Sequence, residues 1–362
     1  MRWQRPAAAE AHARCELRRA GTHVSCDTDV ARPTGKTLPT WRGMTSCGGG
    51  GSCLPRGSKI CLVGDSLMRQ TFIEMACDAQ SWGAAAWHEF QLSNKTVNGS
   101  TARKIYIKPQ SSHLPSVTMV YIAQPTVPSP LNGSFAYGVQ GGTARRMNQL
   151  LRANCSAVVL GWGAWHVAHY PLTPAAYRTA LHKAILGLRR ALGPNVCLLL
   201  RPTIAQATTT NLSFGPRSLL LEQLRAQHDT FAARCERAES LLAGNNASLS
   251  GVEKFLERLA WGSPSQRILR AFNDALDAEA HDLGVEVVGG AAGTLYNLTA
   301  SRPCLHAHQS SSRRRMARGT RGGMPFDPTH WCTWEATPNP ALQAISTLLR
   351  RMMPTCSSER RR

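Results

Sequence analysis

Residues 60–70 read ICLVGDSLMRQ, and this stretch decides how the chain folds. Four apolar residues lead directly into Gly64-Asp65-Ser66, and a segment compatible with a helix follows. A short apolar run bounded by a turn signal is typical of a buried strand in a parallel sheet. The stretch therefore predicts a strand, a sharp turn and a helix, with one serine presented on the turn.

Beyond residue 58, short apolar runs alternate with segments of helical periodicity, which is typical of an α/β sheet whose crossovers bury both faces. We expect strands at 59–65, 104–107, 117–122, 156–162, 195–201 and 284–290, and helices at 67–77, 174–191, 217–241, 252–261, 265–282 and 339–353. The polar segments 91–116 and 124–150 predict surface insertions, and 301–325 predicts the least structured segment of the second half.

The chain divides into three parts. Residues 1–57 are rich in Arg, Gly, Pro and Cys and predict an irregular leader tied by disulfides. Residues 58–356 predict one doubly wound α/β domain, and 357–362 form a basic tail. With 362 residues, of which 43% are hydrophobic and 18% charged, the chain is an ordinary globular protein that can bury a full core.

The net charge and the glycosylation sequons indicate which partners and which cellular compartment to expect. A net charge of +20 attracts polyanions, either nucleic acid or acidic polysaccharide. Seven of the twelve asparagines begin an Asn-X-Ser/Thr sequon, where roughly two would be expected by chance. The seven are Asn94, Asn98, Asn132, Asn154, Asn211, Asn246 and Asn297. The excess predicts a glycosylated chain in the secretory pathway and favours polysaccharide over nucleic acid.

The twelve cysteines agree with that compartment, because they contain no CxxC pair and no Cys/His spacing of a zinc site. We expect most to form disulfides, beside one or two buried thiols, with a pairing that the sequence leaves open. Cys61 and Cys197 lie in apolar strands, so small core residues are the alternative for both. No apolar run is long enough to span a bilayer, and the first residues lack the apolar region of a signal peptide. We therefore expect a targeting or anchoring segment to be missing from this chain.

A serine becomes a nucleophile when a base takes its proton and a third group orients that base. The loops after parallel strands converge on one crevice, so the base should lie on another such loop. Asp327 and His330 are three apart in DPTHWC, and in a helical turn or a tight loop the carboxylate can accept from the imidazole. A Ser66-His330-Asp327 triad is one interpretation. In the other, Ser66 and Asp327 cap helices and His330 packs on Trp331.

The motifs GDSLMRQ and DPTHWC resemble those of the PC-esterase branch of the SGNH/GDSL superfamily, which includes plant trichome-birefringence-like proteins and sialate O-acetyltransferase domains. The resemblance spans roughly residues 53–355, and VVLGWGAWH (158–166) carries it less strongly. It implies a flavodoxin-like α/β/α sandwich with a mostly parallel sheet. It also implies an enzyme, usually of the Golgi, that transfers or hydrolyses acetyl esters on sugar hydroxyls. Plant members commonly have an N-terminal membrane anchor.

By this resemblance, Ser66 is the nucleophile, and Asp327 and His330 complete the triad. Arg69 matches an arginine commonly found just after GDS; it either contacts substrate or stabilises charge, or else it is a surface residue of the first helix. The plant DCxHWC pattern reads here as DPTHWC, with one cysteine fewer.

The oxyanion site departs from the family. Where plant members have Asn-Thr-Gly-His-Trp-Trp, residues 161–166 read GWGAWH, so the side chain of that Asn is absent. The expected oxyanion donors are the backbone amides of Ser66 and Gly163, or else a residue that the sequence does not identify. The amides at the start of the helix that follows the GDS turn would face an oxyanion. Gly64, Asp65 and Trp165 complete the expected oxyanion and substrate contacts.

Other motifs have a functional and a structural interpretation. The rings of Trp162 and Trp165 either stack on a sugar or pack in the core. The arginines of 313–321 either guide an anionic glycan or form a solvated loop. No metal site is expected, because the histidines lack a third ligand at ligand spacing; these are His166, His169, His306 and His308.

Taken together, the sequence favours a polysaccharide O-acetyltransferase that works through an acyl-serine intermediate. If water resolves that intermediate, the protein is a carbohydrate acetyl esterase; a catalytically silent glycan-binding protein is the third reading. No bound cofactor is expected. The partners would be a carbohydrate, for which acidic polysaccharide is a candidate, and an acetyl donor such as acetyl-CoA. Nucleic acid is not expected, because the chain lacks a recognisable nucleic-acid-binding motif.

Overall fold

The computed structural model describes residues 59–80, 91–92, 102–107, 117–128, 143–163, 166, 172–204, 264–293, 306–307, 327–331, 342, 345–346 and 348–349. The strands are β1 (Lys59–Gly64), β2 (Gln91–Leu92), β3 (Ala102–Ile107), β4 (Val117–Ala123), β5 (Ala157–Gly161), β6 (Cys197–Leu200), β7 (Glu286–Val287), β8 (His306–Ala307) and β9 (Asp327–Trp331). The helices are α1 (Ser66–Gln80), α2 (Thr143–Ala153), α3 (Pro174–Leu192) and α4 (Pro264–Leu283). The predicted leader, the basic tail and the predicted helices at 217–241 and 252–261 lie outside these residues.

Five parallel strands form the centre of one sheet in the order β4-β1-β5-β6-β7. Two antiparallel strands, β3 and β2, extend it beside β4. Numbered along the chain, the parallel strands have the order 2-1-3-4-5, which is that of flavodoxin-like doubly wound sheets. The predicted α/β class with a mostly parallel sheet is therefore confirmed for the described part of the chain. In such sheets the strand order reverses beside the first strand, and ligands bind there.

The central strand β1 is buried on both faces. Ile60 and Leu62 point to one face, Cys61 and Val63 point to the other, and all four are fully buried. A strand covered on both sides needs an uninterrupted apolar run rather than an alternating one. This requirement explains why the motif at 60–63 was recognisable in the sequence.

Helices cover both faces of the sheet. On one face Phe72 of α1 packs against Tyr121 of β4, with ring centroids 5.8 Å apart. On the other face α2, α3 and α4 contribute Met147, Leu181 and Phe272 to one buried cluster. The chain moves from β1 to β4 in one direction and from β4 to β7 in the other. Right-handed crossovers then put the helices on opposite faces.

Local signals set the ends of α3. Thr173 precedes the helix, and its Oγ1 accepts a hydrogen bond from the Ala176 amide at 3.1 Å. Pro174 occupies the first helical position, where no backbone donor is needed. Gly193 follows the last turn with φ of 82°, a conformation that glycine adopts readily.

The predicted insertion at 124–150 is wrong for its last part, because α2 begins at Thr143 and buries Met147 and Leu150 in the core. Three arginines in the sequence of α2 make its composition polar, which hides an amphipathic helix. The predicted strand at 284–290 is also too long. After β7 the chain turns at Gly289 and Gly290, which have positive φ.

The second half agrees with the predictions at one further place. Leu342, Ile345 and Leu349 are helical and buried, as expected for a final helix over 339–353. Within the segment 301–325, which was expected to be the least structured, the described residues form the short strand β8.

A disulfide joins Cys61 of β1 to Cys155, which lies between α2 and β5. Cys197 of β6 is also disulfide-bonded, and no free cysteine is found among the described side chains. The interpretation of Cys61 and Cys197 as small unpaired core residues is therefore wrong. Disulfides persist in oxidising compartments, so the bond is consistent with a secreted protein or a glycoprotein. None of the described helices is long and apolar enough to cross a membrane.

We expect the double variant Cys61→Ala/Cys155→Ala to unfold at lower denaturant concentration than the parent. The bond closes a span of 94 residues, and losing such a cross-link typically costs about 2–5 kcal/mol. Denaturation of both proteins measures the difference, and mass spectrometry of non-reduced peptides identifies the linkage. An unchanged midpoint, or Cys61 linked to another cysteine, would contradict the assignment.

Candidate functional site

Ser66 lies at the carboxyl end of the central strand, where the strand order reverses. It is the first residue of α1 and is half-buried, whereas the flanking Asp65 and Leu67 are buried. The predicted succession of strand, turn and helix is confirmed here. The serine is thus at the position of a parallel sheet where ligands bind.

Asp65, rather than Ser66, caps the helix. Its Oδ1 accepts hydrogen bonds from the amides of Leu67 at 2.9 Å and of Met68 at 3.2 Å. The interpretation of Ser66 as the N-cap is therefore wrong, and the serine side chain is not needed for that purpose. The Leu67 and Met68 amides are in turn removed from the set of oxyanion donors. The Ser66 and Gly163 amides remain the predicted donors.

The neighbouring strand β4 holds the turn from one side. The Gln124 amide donates to the Gly64 carbonyl at 2.8 Å, and the Tyr121 hydroxyl donates to the Asp65 carbonyl at 2.8 Å. Gly64 is also required sterically, because a Cβ there would lie 2.4 Å from the Gly161 carbonyl oxygen of β5. The contacts of Gly64 and Asp65 therefore fix the backbone that leads into Ser66. Their contact with substrate or oxyanion stays a prediction.

A buried arginine that sequence reasoning missed faces the turn from the other side. Arg201 follows β6, is 2% exposed, and its Nη2 lies 4.0 Å from Asp65 Oδ1. Burial lowers the pKa of Arg201, while the nearby Asp65 and Tyr121 oppose that shift. The signal in the sequence was a single arginine ending the apolar run NVCLLLR.

Hydrogen bonds fix the chain after β5. The Trp162 carbonyl accepts from the Tyr177 hydroxyl at 3.1 Å and from Thr203 Oγ1 at 2.8 Å. The Asn273 side chain of α4 pairs with the Thr203 amide at 3.0 Å and with its carbonyl at 2.9 Å. Burial raises the pKa of Tyr177, with a smaller contribution from Asp65, so its hydroxyl stays a donor. The backbone that leads into Gly163 is thus held by two helices.

Trp162 itself lies in the core, with 2% of its surface exposed. Its interpretation as a sugar-stacking ring is therefore wrong, and core packing is the observed alternative. Trp165, for which the same two roles were open, lies outside the described residues.

His166 joins the loops that follow β4 and β5. Its Nε2 accepts a hydrogen bond from the Val127 amide at 3.0 Å, and its ring meets the edge of Tyr177. An acceptor Nε2 requires the neutral ring with its proton on Nδ1. His166 therefore has a structural contact at Nε2, one of the two ring nitrogens that could ligate a metal. Within the described part of the chain, no group of metal-ligating side chains could hold an ion.

Arg69 lies in the first turn of α1 and is half-buried, and its amide donates to the Asp65 carbonyl at 3.1 Å. Its position next to the serine agrees with both roles considered for it, contact with substrate and ordinary surface residue. A substrate contact stays a prediction.

The second motif forms the strand β9, which pairs antiparallel with β8. His306 pairs with Trp331 and Ala307 pairs with Asp327, so the three residues between the two pairs bulge out of the ladder. A helical turn or a tight loop was expected here; the structure instead has a bulged strand. The side chains of β9 lie outside the described part of the structure.

The fold brings β9 close to α1, the helix that begins at Ser66. Cα atoms of β9 lie within 8 Å of Cα atoms of α1. The segments that carry Ser66 and His330 are thus neighbours, although they are far apart in sequence. The contact between the Ser66 hydroxyl and the His330 ring stays a prediction, as does the role of Asp327.

One predicted glycosylation site lies in the described part of the chain. Asn154 is exposed at the end of α2 and has φ of 50°. Exposure agrees with glycosylation. The left-handed conformation is a second reason for an asparagine there, because asparagine tolerates it at helix ends. The other six sequons lie outside the described residues, as do the arginines of 313–321.

Comparison of the chain with models of known protein families finds no match, and comparison with curated proteins finds no significant similarity. The resemblance to the PC-esterase branch therefore rests on the short motifs around Ser66 and His330.

We expect Gly163→Ala to destabilise the protein strongly. Gly163 has φ of 139°, and a Cβ there would lie 2.0 Å from Thr203 Oγ1. Gly193→Ala is the matched control, because that glycine also has positive φ but has nothing within 4 Å of a Cβ. Overpacking should cost Gly163→Ala about 1–3 kcal/mol more than the control. Equal thermal unfolding of the two variants would contradict the geometry of this loop.

Proposed function

We propose that the protein is an O-acetyltransferase of the secretory pathway that acts on carbohydrate hydroxyls. The observation that carries this proposal is the position of Ser66, half-buried at the carboxyl end of the central strand beside the reversal of strand order. The approach of β9 to α1 supports the choice of His330 as its base. The motifs favour an SGNH-like domain, and the sequons and the disulfide favour a glycoprotein of the Golgi lumen.

In the proposed first half-reaction, His330 takes the proton of Ser66 Oγ while Oγ attacks the acetyl carbonyl of the donor. The Ser66 and Gly163 amides stabilise the oxyanion of the tetrahedral intermediate. His330, oriented by Asp327, gives its proton to the leaving group as the carbon–heteroatom bond of the donor breaks. An acetyl-serine and the deacylated donor result.

In the second half-reaction, His330 deprotonates a sugar hydroxyl, whose oxygen attacks the acetyl-serine. The bond to Ser66 Oγ then breaks, and the proton returns to Ser66. The acceptor leaves as an acetyl ester. The positive charge of the chain supports an acidic polysaccharide as acceptor. Acetyl-CoA is a candidate donor.

Hydrolysis is the second candidate function, because half-burial leaves Ser66 partly open to water. Water would then replace the sugar hydroxyl, and the protein would be a carbohydrate acetyl esterase. Transfer requires that the acceptor exclude water from the acyl-enzyme. A catalytically silent glycan-binding protein is the outcome in which Ser66 does not react at all.

The purified glycosylated protein should hydrolyse a chromogenic acetyl ester. We expect Ser66→Ala and His330→Ala each to lower kcat by at least about a thousandfold, because nucleophile and base act as a unit. Thr179→Ala is the matched hydroxyl control, since Thr179 lies exposed on α3 and its Oγ1 bonds only to the Ala175 carbonyl among the described residues. It should keep the parental rate.

Equal background rates for the parent and both variants, together with no acetylated product in a screen of glycan acceptors, would remove the enzymatic proposal and leave glycan binding. With an active parent, mass spectrometry of acidic and neutral oligosaccharides incubated with acetyl-CoA separates transfer from hydrolysis. Acetylated acidic oligosaccharide is the expected product. Free acetate without acetylated oligosaccharide would show that water, rather than a sugar hydroxyl, resolves the acyl-enzyme.

A further inference from the structure

Arg201 is the largest fully buried side chain in the part of the chain that the structure describes. It follows β6 directly, and its amide donates to the Leu160 carbonyl of β5 at 2.7 Å. Burying an arginine is costly unless its charge is compensated. Arg201 lies beside the Asp65–Ser66 turn, and packing alone does not explain why a charged side chain is buried there.

The side chain of Arg201 reaches across one whole strand. In the sheet, β5 lies between β6 and β1, and neighbouring strands are about 4.8 Å apart. Gly161 of β5 leaves the room for this crossing. A Cβ at Gly161 would lie 3.2 Å from Arg201 Nε and 2.6 Å from the Cε of Met68 on α1. The glycine at the end of β5 thus allows both the arginine and the helix to approach.

The guanidinium lies opposite the Asp65 carboxylate. Nη2 is 4.0 Å from Asp65 Oδ1, and Nη1 donates to the Pro202 carbonyl at 3.2 Å. Nε is buried, and none of the described residues provides a hydrogen-bond acceptor for it. Asp65 Oδ1 is also the atom that caps α1, so one oxygen faces the guanidinium and two helix amides. Displacing that oxygen would uncouple the helix start from the sheet.

We propose that Arg201 is a positioning residue for the nucleophile: by holding the Asp65 carboxylate, it fixes the turn that presents the Ser66 hydroxyl. This role rests on the proposed function, in which Ser66 attacks the acetyl donor. Arg201 acts through Asp65 and touches neither substrate nor reacting atoms. Small displacements of a nucleophile reduce rates strongly, so the loss of this support should appear in kcat.

The test measures kcat and KM for a chromogenic acetyl ester with the full glycosylated chain. We expect Arg201→Met to lower kcat about tenfold or more while KM changes less than about twofold, because orientation rather than binding is lost. The kcat of Arg201→Lys should lie between that of Arg201→Met and that of the parent, since lysine keeps the charge but lacks the planar guanidinium. Arg178→Met is the matched control, because it removes an ion pair to Glu279 between α3 and α4. It should keep the parental kcat.

The double variant Asp65→Asn/Arg201→Met tests whether both residues act through one pair. Its kcat should be no lower than that of the less active single variant, because that variant has already lost the same interaction. Fully additive losses would contradict the proposal. A folded Arg201→Met with the parental kcat would also contradict it, as would a Lys variant no better than Met.

If Arg201→Met does not fold, the Lys variant decides: a lowered kcat with KM retained supports the role, and the parental kcat contradicts it. Labelling of Ser66 by a fluorophosphonate probe distinguishes a failure of the proposed function from a failure of the proposed role of Arg201. A parent that is neither labelled nor active overturns the proposed function and this role with it. An active, labelled parent with unaffected Arg201 variants overturns the role of Arg201 alone.

Discussion

The carboxylate of Asp65 lies where the central strand ends and the first helix begins, and the rest of the site is arranged around it. It accepts two hydrogen bonds from the start of α1, and it faces the buried guanidinium of Arg201. The backbone of the same residue accepts from Tyr121, so strands β4 and β6 both fix its position. An isolated charge in this environment would be costly, and the opposite charges of Asp65 and Arg201 compensate each other. The direction in which Ser66 leaves the sheet follows from these contacts.

Glycines make this arrangement possible, and each acts through a specific close approach. Gly64 lets β1 lie against the β5 carbonyl, and Gly161 leaves room for Arg201 and α1. Gly163 adopts a positive φ beside Thr203, where a larger residue would collide with the hydroxyl. Together they keep the ends of β1, β5 and β6 close together beside the serine. This is where a doubly wound sheet binds its ligands.

Sequence patterns predicted the parts of the fold in which local composition and burial agree. The run before Ser66 was recognisable because β1 is buried on both faces, and α3 because its apolar stripe has helical spacing and its ends are capped. Helix α2 was missed because its arginines outnumber the apolar residues that it buries. Arg201 and the Cys61–Cys155 bond were missed for a different reason. Both depend on which strands become neighbours, and strand order is a long-range property that no short stretch encodes.

The proposed chemistry requires the Ser66 hydroxyl to contact the His330 ring, which is a closer approach than that of the β9 and α1 backbones. A high-resolution experimental structure of the glycosylated protein measures this directly, as the distance from Ser66 Oγ to the nearer nitrogen of the His330 ring. We expect a separation of about 2.6–3.2 Å, or a somewhat looser contact without substrate, with an Asp327 oxygen on the other ring nitrogen. A His330 ring turned to the opposite face of β9, out of reach of Ser66, would contradict the proposed chemistry.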